Sequence, residues 1–219
     1  ADAVKALATP ATVDFSEVVY ESETFPNSFK SNANLAGIVF PQNVTKTASA
    51  AFQKTGMTSV TLLKGISYGS NAFDSCASLV SVTVEEGVTE IGNYMFQNTK
   101  LTDVTLPNSV TKIGASAFNG CSLTTINFGQ GVKTIENSAF QNCGELTEII
   151  LPDATETLGQ NAFGDCPKLA KISLGKNMKT LEAYCFVGYS KGCPLLGDII
   201  CRATTPPTLK DDYGTGPFG

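Results

Sequence analysis

Two residue types that carry much of protein chemistry are missing from this chain of 219 residues, which has no histidine and no tryptophan. Histidine is the commonest general base, the commonest metal ligand and the side chain that titrates near neutral pH. Tryptophan would offer a flat platform for a sugar ring. Their absence argues against histidine-dependent catalysis, against a metal site and against an indole-based sugar site.

Positive charge is also scarce, with 15 Lys and Arg against 20 Asp and Glu and a net charge of −5. Such a chain has no basic surface for a phosphate backbone, so nucleic acid is not an expected partner. No run of eighteen apolar residues is present, and we expect no membrane insertion. Neither an initiator Met nor a leader-like segment stands at Ala1, so we expect any targeting segment to lie outside this sequence.

Phenylalanine recurs at a nearly constant interval. Eight of the thirteen phenylalanines follow one another at steps of 21 to 23 residues: Phe29, Phe52, Phe73, Phe96, Phe118, Phe140, Phe163 and Phe186. The residues that open each unit recur similarly: Leu35, Met57, Leu79, Leu101, Leu123, Leu146, Leu169 and Leu196. A period of this size is typical of a solenoid, in which one unit cannot bury its apolar side alone and stacked units share a core.

The clearest unit is "LTDVTLPNSVTKIGASAFNGC", residues 101–121. Its first apolar residues alternate through Val104 and Leu106, which predicts a short strand with Asp103 and Thr105 facing outward. The wider spacing that follows favours a turn and a short helical or 3₁₀ segment on the opposite wall, through Val110, Ile113, Ala117 and Phe118. Strands stacked about 4.8 Å apart would form a parallel sheet roughly 35 to 40 Å long.

Near-full copies of this unit recur as "LTTINFGQGVKTIENSAFQNC" and "LTEIILPDATETLGQNAFGDC". Over about residues 29–205 the pattern resembles the BspA-like, Treponema-type leucine-rich repeats of many bacterial surface proteins and some protist ones. The resemblance implies an α/β solenoid: a right-handed coil with a parallel sheet of short strands on its concave face and short helical, 3₁₀ or irregular segments on its convex face. It also implies a secreted or cell-surface, non-enzymatic module, since some members are adhesins that bind host matrix or plasma proteins such as fibronectin and fibrinogen.

Three segments are expected along the chain. Residues 1–28 read as a degenerate N-terminal repeat that caps the core, because terminal repeats are usually atypical. Residues 29–205 form the leucine-rich repeat domain of about seven to eight coils. Residues 206–219 read as a C-terminal loop leading toward a segment outside this chain. Two units break the pattern: the unit at 57–78 lacks one residue before Phe73, and the unit at 169–195 has four extra residues after Phe186.

Five of the seven cysteines share one repeat position: Cys76, Cys121, Cys143, Cys166 and Cys193. They could form a ladder of disulfides or metal thiolates, or a row of small buried side chains. Neighbours in register stand about 4.8 Å apart, which is longer than the roughly 3.8 Å between Cβ atoms that a disulfide prefers. A zinc site without histidine or C-x-x-C pairs would need four aligned thiols. We expect buried thiols, with no metal and no cofactor.

The exposed positions of the predicted sheet flank the middle apolar residue of each strand. One column reads Gly37, Ser59, Ser81, Asp103, Thr125, Glu148, Lys171 and Asp198. The second reads Val39, Thr61, Thr83, Thr105, Asn127, Ile150, Ser173 and Ile200. Near the C-terminal end, a lysine flanked by two carboxylates lies beside two isoleucines. This combination predicts either a protein-docking patch or a surface ion ladder worth under about 1 kcal/mol per pair.

The binding residues predicted from these columns and from the extra residues after Phe186 are Asp103, Glu148, Ile150, Lys171, Asp198, Ile200 and Tyr189. Glu148 and Asp198 lie two strands apart, within reach of the spacing in inverting glycosidases, but Lys171 stands between them and an open sheet has no cleft that excludes water. No enzyme is therefore expected. Asn43 begins a glycosylation sequon, although the following Val44 lies on the buried register.

Three functions remain open at this stage. The first is an adhesin-like module that binds a protein ligand, possibly a host matrix or plasma protein, on the concave sheet. The second is a structural spacer or stalk that presents another domain, since the first strands carry short, uniform side chains. The third is a carbohydrate-binding module, which the lack of aromatic residues on the predicted face disfavours.

Overall fold

The fold is a stack of short parallel strands. A computed structural model describes residues 7–187, 190 and 192–210, and within these ranges it contains strands and turns but no helix. The strands fall on two walls of the stack. The long strands are β1 (Ala11–Asp14), β3 (Leu35–Val39), β5 (Ser59–Leu62), β6 (Ser81–Val84), β8 (Asp103–Thr105), β10 (Thr125–Asn127), β12 (Glu148–Ile150), β14 (Lys171–Leu174) and β16 (Asp198–Cys201). We call their solvent-facing side the long-strand face.

A second wall consists of strands of two residues each. They are β2 (Thr24–Phe25), β4 (Lys46–Thr47), β7 (Glu90–Ile91), β9 (Lys112–Ile113), β11 (Thr134–Ile135), β13 (Thr157–Leu158), β15 (Thr180–Leu181) and β17 (Thr208–Leu209). From β7 to β17 they form one parallel six-stranded sheet. The unit at 57–78, which lacks one residue, contributes only an isolated bridge between Lys46 and Ser67.

Of the helical, 3₁₀ or irregular segments expected on the convex wall, the helical and 3₁₀ ones are wrong for the described residues, and so is the α/β class. The segment around each phenylalanine is an irregular turn whose N–H groups bond to the next coil. Tyr94, Phe96 and Asn98 each donate to a carbonyl 21 residues further on, at 2.8 Å. Tyr94 and Asn98 have φ near +55°, which orients these donors along the stack. Since a helix needs the same N–H groups for i→i−4 bonds, the turn replaces it.

A column of phenylalanine rings fills the centre of the stack, as the repeat register predicted. The rings of Phe52, Phe73, Phe96, Phe118, Phe140, Phe163 and Phe186 are fully buried. Successive centroids from Phe52 to Phe163 lie 5.2 to 5.7 Å apart, with interplanar angles of 4° to 20°. The rings therefore contact both neighbouring coils, and each coil completes its core only when it is stacked.

The aligned cysteines line the same core and all seven carry free thiols. Each of the five aligned cysteines donates its thiol proton to the carbonyl of the phenylalanine in the preceding coil, as in the 3.1 Å bond from Cys121 Sγ to Phe96 O. Thr55 and Thr99 take the cysteine position in their coils, and each donates to the phenylalanine carbonyl of its own coil at 2.9 Å. The carbonyls of Phe52 and Phe96 therefore each accept a threonine hydroxyl from their own coil and a cysteine thiol from the next coil.

The stacked strands extend beyond the expected repeat domain at both ends. β1 pairs with β3, so residues within 1–28 continue the long-strand wall, and Val13 packs against the core. At the other end β17 pairs with β15 inside the segment expected to be a loop. The regular stacking therefore reaches Leu209, past the expected boundary at 205.

Candidate functional site

The charged group predicted on the long-strand face lies on three adjacent strands. Glu148, Lys171 and Asp198 are direct neighbours across β12, β14 and β16. The Lys171 Nζ lies 2.7 Å from Glu148 Oε1, and both side chains are close to half exposed. This ion pair raises the pKa of Lys171, with Asp198 adding a smaller favourable field. Because Lys171 occupies the space between the two carboxylates, they do not form an acid and base pair across an open gap.

Two isoleucines flank this ion pair in the neighbouring column. Ile150 and Ile200 are 58% and 46% exposed, with Ser173 between them on β14. The aligned positions on β5 to β10 are polar, for example Thr105 and Asn127, whereas β3 carries Val39, which is 41% exposed. The remaining predicted residue, Tyr189, lies outside the described residues.

The insertion that carries Tyr189 is attached to the stack by a buried carboxylate that the repeat pattern did not indicate. Asp165 Oδ1 accepts the N–H groups of Ser190 and Gly192, each at 2.9 Å. Its Oδ2 accepts Gln141 Nε2 at 3.2 Å. Asp165 is only 2% exposed, so Ser190 and Gly192 are held at a fixed point of the core.

A recess on the long-strand face lies at one of the places where the strand pairing is interrupted. β8 pairs with β10 and β12 pairs with β14, but β10 and β12 do not join into one sheet. A groove of about 500 Å³ lies at this break. Its lining includes Ile126, Phe128 and Leu151 below and Asp103 and Ile150 at the rim. We call this recess the β10–β12 groove.

One wall of the β10–β12 groove is an arginine from the last coil, which the repeat analysis missed because its position is not repeated. Arg202 donates from Nε to Leu174 O at 3.1 Å and from Nη2 to Leu151 O at 2.9 Å. Its Nη2 also lies 3.2 Å from Asp153 Oδ1. Lys176 and Arg202 together lower the pKa of Asp153. Arg202 therefore joins the last coil to the two before it.

Asp103 lies at the opposite side of the groove and is surrounded by hydroxyl groups. Its Oδ1 accepts Thr125 Oγ1 at 2.7 Å and Thr124 Oγ1 at 3.3 Å. The hydrogen bonds from Thr125 and Thr102 lower the pKa of Asp103, so the carboxylate is ionised at neutral pH. The sequence placed this aspartate on the exposed column but did not indicate the groove beside it.

The sequon asparagine is engaged in the fold. Asn43 Nδ2 donates to Tyr20 O at 2.7 Å, and Tyr20 N donates to Asn43 Oδ1 at 3.1 Å. A glycan on Nδ2 would disturb this pairing, which holds the N-terminal segment to the first full coil.

Stacked coils with a leucine-opened strand, a phenylalanine turn and a shared core define a leucine-rich repeat solenoid. The chain belongs to the family described as BspA type leucine-rich repeat region, whose model matches six copies over residues 21–68 and 66–192. No curated protein matches the chain. Within the described ranges, no helix has the length and apolar character needed to cross a bilayer.

The chain is similar to two solved structures, of which the first shows the same fold. A leucine-rich cell surface protein from Faecalibacterium prausnitzii A2-165 is 22% identical with a TM-score of 0.59, and the match covers 88% of this chain and 60% of that one. A leucine-rich repeat protein from T. pallidum is 22% identical with a TM-score of 0.48, covering 86% of this chain and 73% of that one. The chain thus spans 60% of the length of the F. prausnitzii protein.

Proposed function

We propose that the chain is a non-enzymatic, secreted or cell-surface module that binds a protein ligand on its long-strand face. Family membership supports a surface protein of the interaction type. The observation that carries the proposal is the exposure of Ile150, at 58%, beside the Glu148–Lys171 ion pair. Exposed apolar side chains next to charge are typical of a docking surface with an apolar centre and a polar rim.

Capture from matrix and serum proteins, including fibronectin and fibrinogen, tests the proposal. We expect Ile150→Asp and Lys171→Glu each to lower capture about tenfold, because the first places a charge in an apolar contact and the second puts like charges side by side. Val19→Asp is the matched control, since Val19 is 86% exposed and belongs to none of the strands that form the long-strand face. Capture that is unchanged by both face variants would remove this face as the ligand site.

A structural spacer is the second candidate. On β5 and β6 the exposed positions carry only short hydroxyl side chains, at Ser59, Thr61, Ser81 and Thr83. Such side chains offer few anchors for a partner. The spacer function predicts no ligand above background in the same capture assay, for the native chain and for every variant.

A further inference from the structure

We propose that the β10–β12 groove binds an extended segment of a protein partner that carries a lysine or arginine and an apolar side chain. The basic group would pair with Asp103 and the apolar group would lie on Ile150. This inference rests on the proposed function and specifies the chemistry of its ligand.

The charge balance of the groove leaves one carboxylate without a cation. Three carboxylates line the groove, and two of them have basic partners: Glu148 with Lys171 at 2.7 Å and Asp153 with Lys176 at 2.9 Å. For Asp103, no lysine or arginine nitrogen of residues 7–187, 190 and 192–210 lies within 4.0 Å. A lysine or arginine of a partner would give Asp103 the basic neighbour that the other two carboxylates already have.

An anionic ligand fits the same groove poorly. The guanidinium in the lining belongs to Arg202, and its Nε and Nη2 already donate to the carbonyls of Leu174 and Leu151. It also pairs with Asp153. An incoming carboxylate or phosphate would have to compete with these bonds while it approaches Asp103. Electrostatic complementarity therefore favours a basic partner over an acidic one.

The positions of Asp103 and Ile150 define the spacing that the ligand needs. They lie on β8 and β12, two strands apart, and in neighbouring columns of the long-strand face. From the spacing of paired strands and the rise per residue, their backbones are separated by at least about 12 Å, because β10 and β12 are not paired. In an extended peptide, side chains four residues apart point the same way and are about 13 Å apart. A basic residue and an apolar residue at that spacing can contact both positions at once.

The test uses a displayed library of random short peptides, selected on the immobilised native chain. We expect enriched peptides to carry a lysine or arginine and an apolar residue about four positions apart. Asp103→Asn should weaken a selected peptide about five- to tenfold, since it removes one charge-assisted pair but retains an acceptor for Thr125. Ile150→Thr should weaken it to a similar extent.

Glu21→Gln is the matched control, because it makes the same change in net charge on an exposed residue of the N-terminal segment. Its effect should stay within about twofold, since screening suppresses distant surface charges. Enrichment of acidic or uncharged peptides, binding that ignores Asp103→Asn, or no enrichment at all would each overturn the inference.

The outcome also separates this inference from the proposed function. If the chain captures a serum or matrix protein, and capture depends on Ile150 and Lys171 but not on Asp103, the docking face stands and the groove inference fails. If capture is absent while basic peptides bind in an Asp103-dependent way, the groove inference stands and the broader proposal loses its support.

Discussion

Replacing Phe118 with leucine measures what the ring column contributes to stability. Phe118 stacks on Phe96 at 5.5 Å and 20° and on Phe140 at 5.2 Å and 8°. Leucine keeps most of the buried apolar surface but loses both ring contacts. An aromatic pair contributes about 0.5–1.5 kcal/mol beyond its buried area, so two lost pairs predict a loss of about 1–3 kcal/mol.

Phe128→Leu is the matched control. Phe128 is nearly as buried, at 5% exposure, but makes one edge-on contact with Phe140, at 5.7 Å and 80°. We therefore expect Phe128→Leu to lower the free energy of unfolding by about half as much as Phe118→Leu does. Both variants would be unfolded in urea and followed by circular dichroism and tyrosine fluorescence, because the chain has no tryptophan.

A lower urea midpoint at an unchanged slope would report the loss of stability directly. The reasoning fails if Phe128→Leu destabilises the chain as much as Phe118→Leu, since burial alone would then account for both. A slope that falls only for Phe118→Leu would show that the stack splits into separately unfolding parts.

Three further predictions concern Arg202, the cysteine thiols and Tyr68. Arg202→Met should lower the free energy of unfolding by about 1–2 kcal/mol and speed amide hydrogen exchange mainly in the last coil, because it removes the bonds to the two preceding coils. A uniform increase in exchange along the chain would contradict a local role of Arg202. Iodoacetamide should modify exposed Cys201 first and half-buried Cys193 next, and the buried thiols should react only after unfolding, as followed by mass spectrometry. Burial raises the pKa of Cys121 to about 11, so early modification of Cys121 would refute this order. Burial also raises the pKa of Tyr68 to about 12, so stability should fall as pH rises from about 10, the pKa in the unfolded chain, to about 12. Tyr68→Phe should lessen that fall in thermal melts. The same pH dependence in both proteins would show that Tyr68 is not its source.

The sequence predicted the features that repeat. The phenylalanine register gave the ring column, and the alternation around Val104 gave the outward columns, including the pairing of Glu148 with Lys171. Each of these features depends on whether a side chain faces the core or the solvent, and the spacing of apolar residues indicates this directly.

The second wall and the contacts of Arg202 and Asp165 could not be predicted in the same way. The spacing from Val110 to Ile113 suits a helical turn as well as a turn followed by a two-residue strand, and the choice depends on hydrogen bonds to neighbouring coils that no single unit contains. Arg202 and Asp165 act where the repeat ends or is interrupted. Their roles come from the local geometry of those places, and a repeating pattern carries no signal for them.

The phenylalanine turns have a consequence for how such a stack can be assembled. Phe52, Phe73, Phe96, Phe118 and Phe140 each donate their N–H to the coil that follows, at 2.8 to 2.9 Å. The two flanks of a coil are therefore unlike along this edge, one supplying protons and the other lone pairs. A second stack turned end over end would set proton against proton, so two such stacks can continue one another along this edge only in the same orientation.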